Sequence, residues 1–195
     1  MIGKQAKILK KKDMKRMLDY AGELTYPERN QVMILLSLKA GLRAKEIASL
    51  TWSMVTDASG ELGDAIHLPY QASKGKSGRI IPLHPELREA LEKLRGTYPR
   101  ALTPQAYVIF SKHGPKLHPC RVVHWFGKVF KALGLEGCSS HSGRRTFITQ
   151  AARKVSEVGG SLRDVQVLAG HSSLSITQRY IDTNTDAHRR LIALL

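Results

Sequence analysis

Apolar residues recur at helical spacing along most of the chain, which indicates a mainly helical fold. Residues 32–38, VMILLSL, are apolar over much of a helix's girth, as is typical of a central core helix. Pro27 suits the first turn of that helix, and Gly41 suits its end. Caps and apolar stripes predict further helices that start near Asp13, Leu42, Pro85, Val122, His141, Ser161 and the pair Ser172 and Ser173, with a last one after Tyr180.

Two of these helices have defined inward stripes in the prediction. In the helix over 122–133 we expect five buried side chains, namely Val123, Phe126, Val129, Phe130 and Leu133. In the short helix before Tyr180 we expect Leu174, Ile176 and Thr177 to form the buried face.

The pattern changes around Trp52. Residues 52–55, 65–68 and 79–83 are predicted as short strands, and residues 107–110 as an extended segment. The segment SKGKSG, residues 73–78, contains glycine and two lysines and predicts a hairpin tip held over an anionic partner. The expected fold class is mainly α with a small antiparallel β-sheet, an α+β arrangement.

Composition narrows the class of partner. The 195 residues include 31 Lys plus Arg against 16 Asp plus Glu, a net charge of +15, which favours a polyanion, with nucleic acid ahead of an anionic membrane surface. A merely soluble basic protein is the plainer alternative. The first 15 residues hold no apolar signal-peptide segment and no apolar run reaches membrane-spanning length, so we expect a cytoplasmic protein without a membrane partner.

Cysteine and histidine spacing gives no metal signature. The two cysteines, Cys120 and Cys138, form no CxxC pair, and the eight histidines include no HExxH. A zinc hydrolase is therefore the weakest candidate, and we expect neither a metal nor another cofactor.

Two arginines stand where a phosphate could bind. His141 and Arg144 lie three residues apart at a predicted helix start, whose free N–H groups attract anions. Arg43 starts a short helix, and Glu46 could orient it from the same face. Ordinary surface side chains and a solvated ion pair are the plain alternatives for these residues.

The remaining candidates complete an inventory for one reaction. Tyr180 falls near the end of a short helix, His171 precedes it, and Lys74 and Lys76 lie on the predicted hairpin tip. Taken singly, each is more simply a core tyrosine, a loop histidine or a solvated lysine. Together with the arginines they supply charge donors, proton-transfer groups and a phenol nucleophile for phosphodiester transfer.

Four stretches carry a resemblance to a known family. AGLRAKEIASLTW resembles the first arginine box, SKGKSGRIIPL the hairpin lysine, HSGRRTFIT the HxxR box, and LAGHSSLSITQRYIDT the final histidine–tyrosine box of the tyrosine recombinases, the phage-integrase family. These motifs extend over residues 40–183. The resemblance implies the catalytic-domain fold of that family, which agrees with the elements predicted above.

The resemblance also implies roles for the phosphate-binding residues. Arg43 and Arg144 would hold the scissile phosphate, and His171 would hydrogen-bond it. His141 would accept or guide a proton.

The other two roles concern bond cleavage. Tyr180 would attack phosphorus to give a 3′-phosphotyrosyl intermediate, and Lys74 would protonate the leaving 5′-hydroxyl. Lys76 competes with Lys74, because a slip of the turn would exchange them.

Domain organisation follows from the residue pattern together with the resemblance. We expect a basic N-terminal arm at 1–12 that is mobile, a catalytic domain at 13–183, and a C-terminal helix at 184–195 that packs on its own core or docks on a neighbouring subunit. A separate core-binding domain is not expected, and the choice between a small family member and a fragment stays open. The partners implied are double-stranded DNA and, on DNA, three further copies in a homotetramer, with a monomer free in solution. The alternative function is a DNA-binding regulator or accessory subunit.

Overall fold

In the computed structural model, residues 6–69, 78–99, 102–112, 114–181 and 192–193 are described. These residues form eight α-helices and two strands, with short 3-10 turns at Trp52–Met54 and Val155–Val158. In chain order the elements are α1 (Lys11–Gly22), α2 (Pro27–Lys39), α3 (Ala44–Ser49), β1 (Ala65–Leu68), β2 (Arg79–Pro82), α4 (Pro85–Gly96), α5 (Pro119–Ala132), α6 (Ser142–Lys154), α7 (Leu162–Ala169) and α8 (Leu174–Gln178). The expected fold class, mainly helical with a small antiparallel sheet, is confirmed.

Helix α2 is the centre of the core. All seven residues from Val32 to Leu38 are buried, because α2 contacts α1, α3, α4 and α6. Pro27 occupies its first turn, and Gly41 follows its end in a left-handed conformation. The prediction of a central helix with these limits is confirmed.

The sheet consists of β1 paired antiparallel with β2. Ile66 pairs with Ile81, and both face the core, while Leu68 pairs with Arg79. Alternation along β2 turns Arg79 inward together with Ile81 and leaves Ile80 exposed. The predicted hairpin tip, with Lys74 and Lys76, lies outside the described residues.

The prediction of a strand at residues 52–55 is wrong. Trp52 begins a 3-10 turn and its N–H donates to the Ala106 carbonyl at 3.0 Å, while Thr51 forms an isolated bridge with Tyr107. The neighbouring segment therefore satisfies the backbone of the turn, and Trp52 is buried without strand alternation. Of the predicted extended segment 107–110, only Tyr107 makes this bridge.

Two inward stripes differ from the prediction. Helix α5 buries Val122, whereas Val123 is 46% exposed, because the stripe that runs through Phe126 and Phe130 passes through position 122. In α8, Thr177 is buried but Leu174 is 38% exposed, since it opens a five-residue helix on the solvent side.

The N-terminal segment is less free than expected. Leu9 is buried and its N–H donates to Thr146 Oγ1 at 2.9 Å, and the Lys7 N–H donates to the Gly137 carbonyl at 3.2 Å. Helix α1 begins at Lys11, which places Asp13 in its first turn and not at the cap. Residues 7–9 are thus part of the fold, so the prediction of a mobile arm over 1–12 is wrong for them.

The described helices are all too short or too polar to cross a membrane. Of the predicted C-terminal helix 184–195, only residues 192–193 are described.

Candidate active site

The C-terminal end of α7 gathers arginines from three other elements. Carbonyls at a helix end lack partners within the helix and carry partial negative charge, so they attract cations. Three successive carbonyls at this end each accept a hydrogen bond from a different guanidinium. The Leu168 carbonyl accepts from Arg79 Nε at 3.0 Å, the Ala169 carbonyl from Arg144 Nη2 at 2.6 Å, and the Gly170 carbonyl from Arg43 Nη2 at 3.4 Å. The side chains of α3, β2 and α6 therefore converge at one point.

Arg144 is held in the first turn of α6 and is only 3% exposed. Its Nη1 donates to the Gly41 carbonyl at 2.6 Å, so two backbone segments fix the guanidinium. Burial and the nearby charge of Arg43 lower the pKa of Arg144 to about 10, which leaves it cationic at neutral pH. Gly143 permits this position, because a Cβ there would overlap Ser37 Oγ on α2.

Arg43 is linked to a buried carboxylate. Glu46, 1% exposed, accepts from the Arg43 N–H at 2.8 Å and from Arg43 Nη1 at 3.0 Å, so the predicted pairing is confirmed. Arg79 donates to both Glu46 oxygens, at 2.9 and 3.0 Å. Burial acts to raise the pKa of Glu46, but hydrogen bonds and charge from Arg79 and Arg43 outweigh it, and the pKa is lowered.

His171 and Tyr180 stack beside this cluster. Their ring centroids are 5.3 Å apart with 25° between the planes, and His171 Nδ1 lies 3.0 Å from Thr177 Oγ1. Burial, followed by the positive charges of the arginines, lowers the pKa of His171 to about 4, so its imidazole is neutral at pH 7. Tyr180 packs on the small core between α6 and α7, and Thr149 Oγ1 donates to its carbonyl at 3.1 Å.

Gly170 turns the chain from α7 into this site. It closes the helix with φ of +60°, as predicted, and the next residue, His171, donates its N–H to the Gln166 carbonyl at 3.1 Å. A Cβ at position 170 would lie 2.8 Å from Arg79 Nη1. Both the left-handed conformation and this close approach favour glycine.

His141 is exposed at the N-terminal cap of α6. Its own N–H donates to Ser139 Oγ at 3.3 Å. A pocket of about 350 Å³ is lined by His141, Arg144 and Tyr180 together. These three side chains therefore face one space that a substrate could enter.

Five of the six candidate residues fall among the described residues and lie at this one site. The sixth, Lys74, and its competitor Lys76 lie outside the described residues. Among the described residues of this cluster, the sequence interpretation missed Arg79. Its signal was the alternation of β2, which puts Arg79 on the same side as the apolar Ile81, but its partner Glu46 is 33 residues away in sequence.

Metal ligands do not gather in the described part of the chain: no group of three or more His, Cys, Asp or Glu there could hold an ion.

Known proteins share both this fold and this sequence pattern. The sequence model of the Phage integrase family matches residues 7–187. Tyrosine recombinase XerC of Rickettsia typhi is 33% identical over 157 residues, which cover 80% of this chain and 48% of the relative. Tyrosine recombinase XerC of Rhizobium meliloti is 33% identical over 164 residues, which cover 84% of this chain and 48% of the relative.

Solved structures agree with this match. The crystal structure of XerA recombinase superposes with a TM-score of 0.74 at 23% identity, over 96% of this chain and 64% of that one. A Tn1549 transposon integrase in complex with a circular intermediate DNA gives a TM-score of 0.75 at 18% identity, over 100% of this chain and 67% of that one.

The fold is thus that of the catalytic domains of recombinases and integrases, mainly helical with a small antiparallel sheet. The chain belongs to the phage integrase family, which confirms the resemblance seen in the sequence. It spans about half the length of the curated relatives it matches.

Proposed function

We propose that the chain is the catalytic unit of a site-specific DNA recombinase, which cuts and rejoins DNA strands through a 3′-phosphotyrosyl intermediate. The observation that carries the proposal is the meeting of Arg43 and Arg144 on adjacent carbonyls of α7. His171 and Tyr180 stack beside them. Relatives named tyrosine recombinase support the same activity.

The two arginines would hold the scissile phosphate. Each guanidinium carries five N–H donors, and the contacts to carbonyls and Glu46 use only part of them. The remaining donors of Arg43 and Arg144 would bind the two non-bridging oxygens. They would also stabilise the charge that those oxygens gain in a pentacoordinate transition state.

The two histidines would act differently because their surroundings differ. His171 is neutral, so Thr177 can donate to Nδ1 and leave Nε2–H as a donor to a phosphate oxygen. His141 is exposed at the mouth of the pocket that it shares with Tyr180, where it would accept the phenol proton.

The first chemical step exchanges one ester for another. The Tyr180 oxygen would bond to phosphorus as its proton leaves, and the bond from phosphorus to the 5′-oxygen would break. Lys74, with Lys76 as the alternative, would give the 5′-oxygen its proton.

The second step reverses the first on another strand. A 5′-hydroxyl from that strand would attack phosphorus, and the Tyr180 oxygen would leave and regain a proton. The number of phosphodiester bonds is unchanged, so neither a nucleotide cofactor nor a metal is needed for the energy balance.

The partner in this proposal is double-stranded DNA, which the net charge of +15 would attract. Residues 13–183 would form the catalytic domain, which acts in the cytoplasm as one of four copies on DNA and is monomeric in solution. The helix at 184–195 would pack on its own core or dock on a neighbour. A DNA-binding regulator without its own strand transfer is the second candidate, which the gel below also addresses.

The proposal can be tested with nicked duplexes taken from the DNA that flanks the chain's own gene. A nick near the cleavage site lets the short strand diffuse away and traps the covalent adduct, which a denaturing gel resolves. We expect Tyr180→Phe to lose the adduct completely while a gel shift shows unchanged DNA binding. Tyr107→Phe, which removes a phenol that lies under Lys116 in a different part of the molecule, should keep the adduct.

Two outcomes would count against the proposal. An adduct that survives in Tyr180→Phe would remove Tyr180 from the role. DNA binding by the unaltered chain with no adduct on any flanking duplex would favour the regulator.

A further inference from the structure

Arg79 is almost fully buried at the end of α7, as is Arg144. Its side chain is 2% exposed, and it donates through Nε, Nη1 and Nη2 to the Leu168 carbonyl and the two Glu46 oxygens. These bonds engage all three nitrogens of the Arg79 guanidinium with groups of the protein itself, whereas Arg43 is partly exposed.

Glu46 connects Arg79 with Arg43. Arg79 binds it in a two-pronged geometry, which sets the plane of the carboxylate as well as its distance. Arg43 Nη1 then shares the oxygen Oε1 with Arg79 Nη1, at 3.0 and 2.9 Å. The direction of the Arg43 guanidinium thus follows from a carboxylate that Arg79 holds in place.

We propose that Arg79 is a positioning residue, which orients Arg43 through Glu46 and fixes the end of α7 beside it. Arg79 comes from β2, Glu46 from α3 and the Leu168 carbonyl from α7, so one side chain joins three elements of the site. The orientation of Arg43 is independent of the reaction, whereas the effect on rate rests on the proposed function.

The ion pair with Arg79 also explains why the buried carboxylate of Glu46 stays charged. Among the described residues, Arg43, Arg79 and Arg144 are the charged groups that face Glu46, and the neutral His171 faces the same arginines. Without Arg79, burial would oppose the charge of Glu46 with less compensation, and the pKa of Glu46 would rise. A protonated Glu46 would hold Arg43 less firmly, because a charged acceptor binds a guanidinium more strongly than a neutral one.

The test compares Arg79→Met and Arg79→Lys with the unaltered chain by NMR, without DNA. We expect the carboxyl carbon of Glu46 to titrate at higher pH in Arg79→Met, and the Arg43 guanidinium to rotate faster. Lysine keeps the charge but cannot span both Glu46 oxygens. The Glu46 titration and the Arg43 rotation in Arg79→Lys should therefore lie between those of the unaltered chain and Arg79→Met. Arg88→Met, which removes an arginine from the Asp64 pair beside α4, should leave both signals unchanged.

Unchanged Glu46 titration and Arg43 rotation in a folded Arg79→Met chain would overturn the proposal. Thermal unfolding would verify folding, and if Arg79→Met does not fold, the same two signals in Arg79→Lys decide.

The effect of Arg79 on the rate of adduct formation is measured separately. In single-turnover adduct formation on the nicked duplex, Arg79→Met should be slower by about 100-fold at neutral pH, the scale of loss expected when a catalytic group is displaced by about 1 Å. DNA affinity should be unchanged, and the rate should fall further as the pH is lowered through the raised Glu46 titration. A rate lowered equally at all pH values would contradict the role of Glu46 as the link. Absence of an adduct with the unaltered chain would count against the proposed function alone, because the NMR signals need no DNA.

Discussion

The α7 end and the outer side of α4 contain ion pairs of similar length in opposite surroundings. Arg79 lies 2.9 Å from Glu46, and both side chains are almost fully buried. On α4, Arg88 lies 2.7 Å from Asp64, whose carboxylate is fully exposed. Two further exposed pairs, Arg95 with Glu61 and Lys93 with Glu89, have separations of 3.0 and 2.8 Å.

Distance alone therefore does not separate the two regions. Water screens the α4 pairs, and such pairs add little to stability. At the α7 end the charges have lost their water, so each arginine depends on the carbonyls and the carboxylate around it. The same dependence makes the arginines rigid, which suits groups that must meet a phosphate in one orientation.

The largest expected effect is on stability when the buried carboxylate is neutralised. Glu46→Gln leaves two arginines without their shared counter-charge and should lower the free energy of unfolding by about 3–5 kcal/mol. Asp64→Asn removes a carboxylate from the exposed pair and should change it by about 0–1 kcal/mol. Urea unfolding measures the free energy of unfolding of both variants. Similar losses in Glu46→Gln and Asp64→Asn would show that the buried and the exposed ion pairs do not differ in their contribution to stability.

The next effect is on the rate of strand cleavage. Arg144→Lys keeps a positive charge but loses the fork that reaches the Gly41 and Ala169 carbonyls, so it cannot present the same donors to phosphate. We expect adduct formation on the nicked duplex to slow by about 100- to 1,000-fold. Arg88→Lys is the control and should leave the rate unaltered. If Arg144→Lys reacts at the normal rate, Arg144 does not stabilise the charge of the transition state.

A smaller effect concerns the turn that places the arginines. Gly159→Ala adds a Cβ at a φ of +72° with no atom within 4 Å, and should cost about 1 kcal/mol in unfolding free energy. Gly170→Ala adds the same strain and also presses on Arg79, so it should cost about 2–3 kcal/mol. Equal costs in the two variants would mean that Arg79 moves aside freely and is not held as described.

The sequence predicted most of the site because its residues lie in compact local patterns. Arg43 with Glu46, and His141 with Arg144, are spaced for one helix face, and the glycines at 41 and 170 mark the ends of α2 and α7. Helical periodicity likewise located the core helix. Local spacing and turn chemistry are what a single sequence records well.

The errors arise where distant contacts decide. Residues 52–55 have strand-like composition, but the N–H groups of Trp52 and Ser53 donate to the carbonyls of Ala106 and Pro104, and residues 52–54 form a 3-10 turn. Arg79 looks like a strand residue next to a lysine-rich turn, and nothing nearby in sequence indicates that Glu46 neutralises it. Val123 was misplaced because a helix with apolar residues at both 122 and 123 does not define its own buried face.

The smallest predicted effect uses pH to separate buried from exposed histidine. The pKa of His171 falls from 6.5 to about 4 on folding, so between these values the unfolded chain binds a proton that the folded chain excludes. Stability from His171 is thus present above pH 6.5 and is lost as the pH falls towards 4. We expect the difference in unfolding free energy between the unaltered chain and His171→Asn to change by about 1–2 kcal/mol between pH 7 and pH 5, in favour of the variant at pH 5.

Replacement of the exposed His124 by Asn is the matched control and should show no such change. A pH-independent difference for His171→Asn would mean that His171 is hydrated and charged at pH 5, contrary to its place among the arginines.

The most direct test of the account is to identify the side chain that becomes linked to DNA. The adduct formed on a nicked duplex would be digested with protease and nuclease, and the modified peptide sequenced by mass spectrometry. We expect a nucleotide on Tyr180, the phenol that stacks on His171 beside Arg43 and Arg144. A nucleotide on any other residue would show that the arginines at the end of α7 do not surround the reacting phosphate.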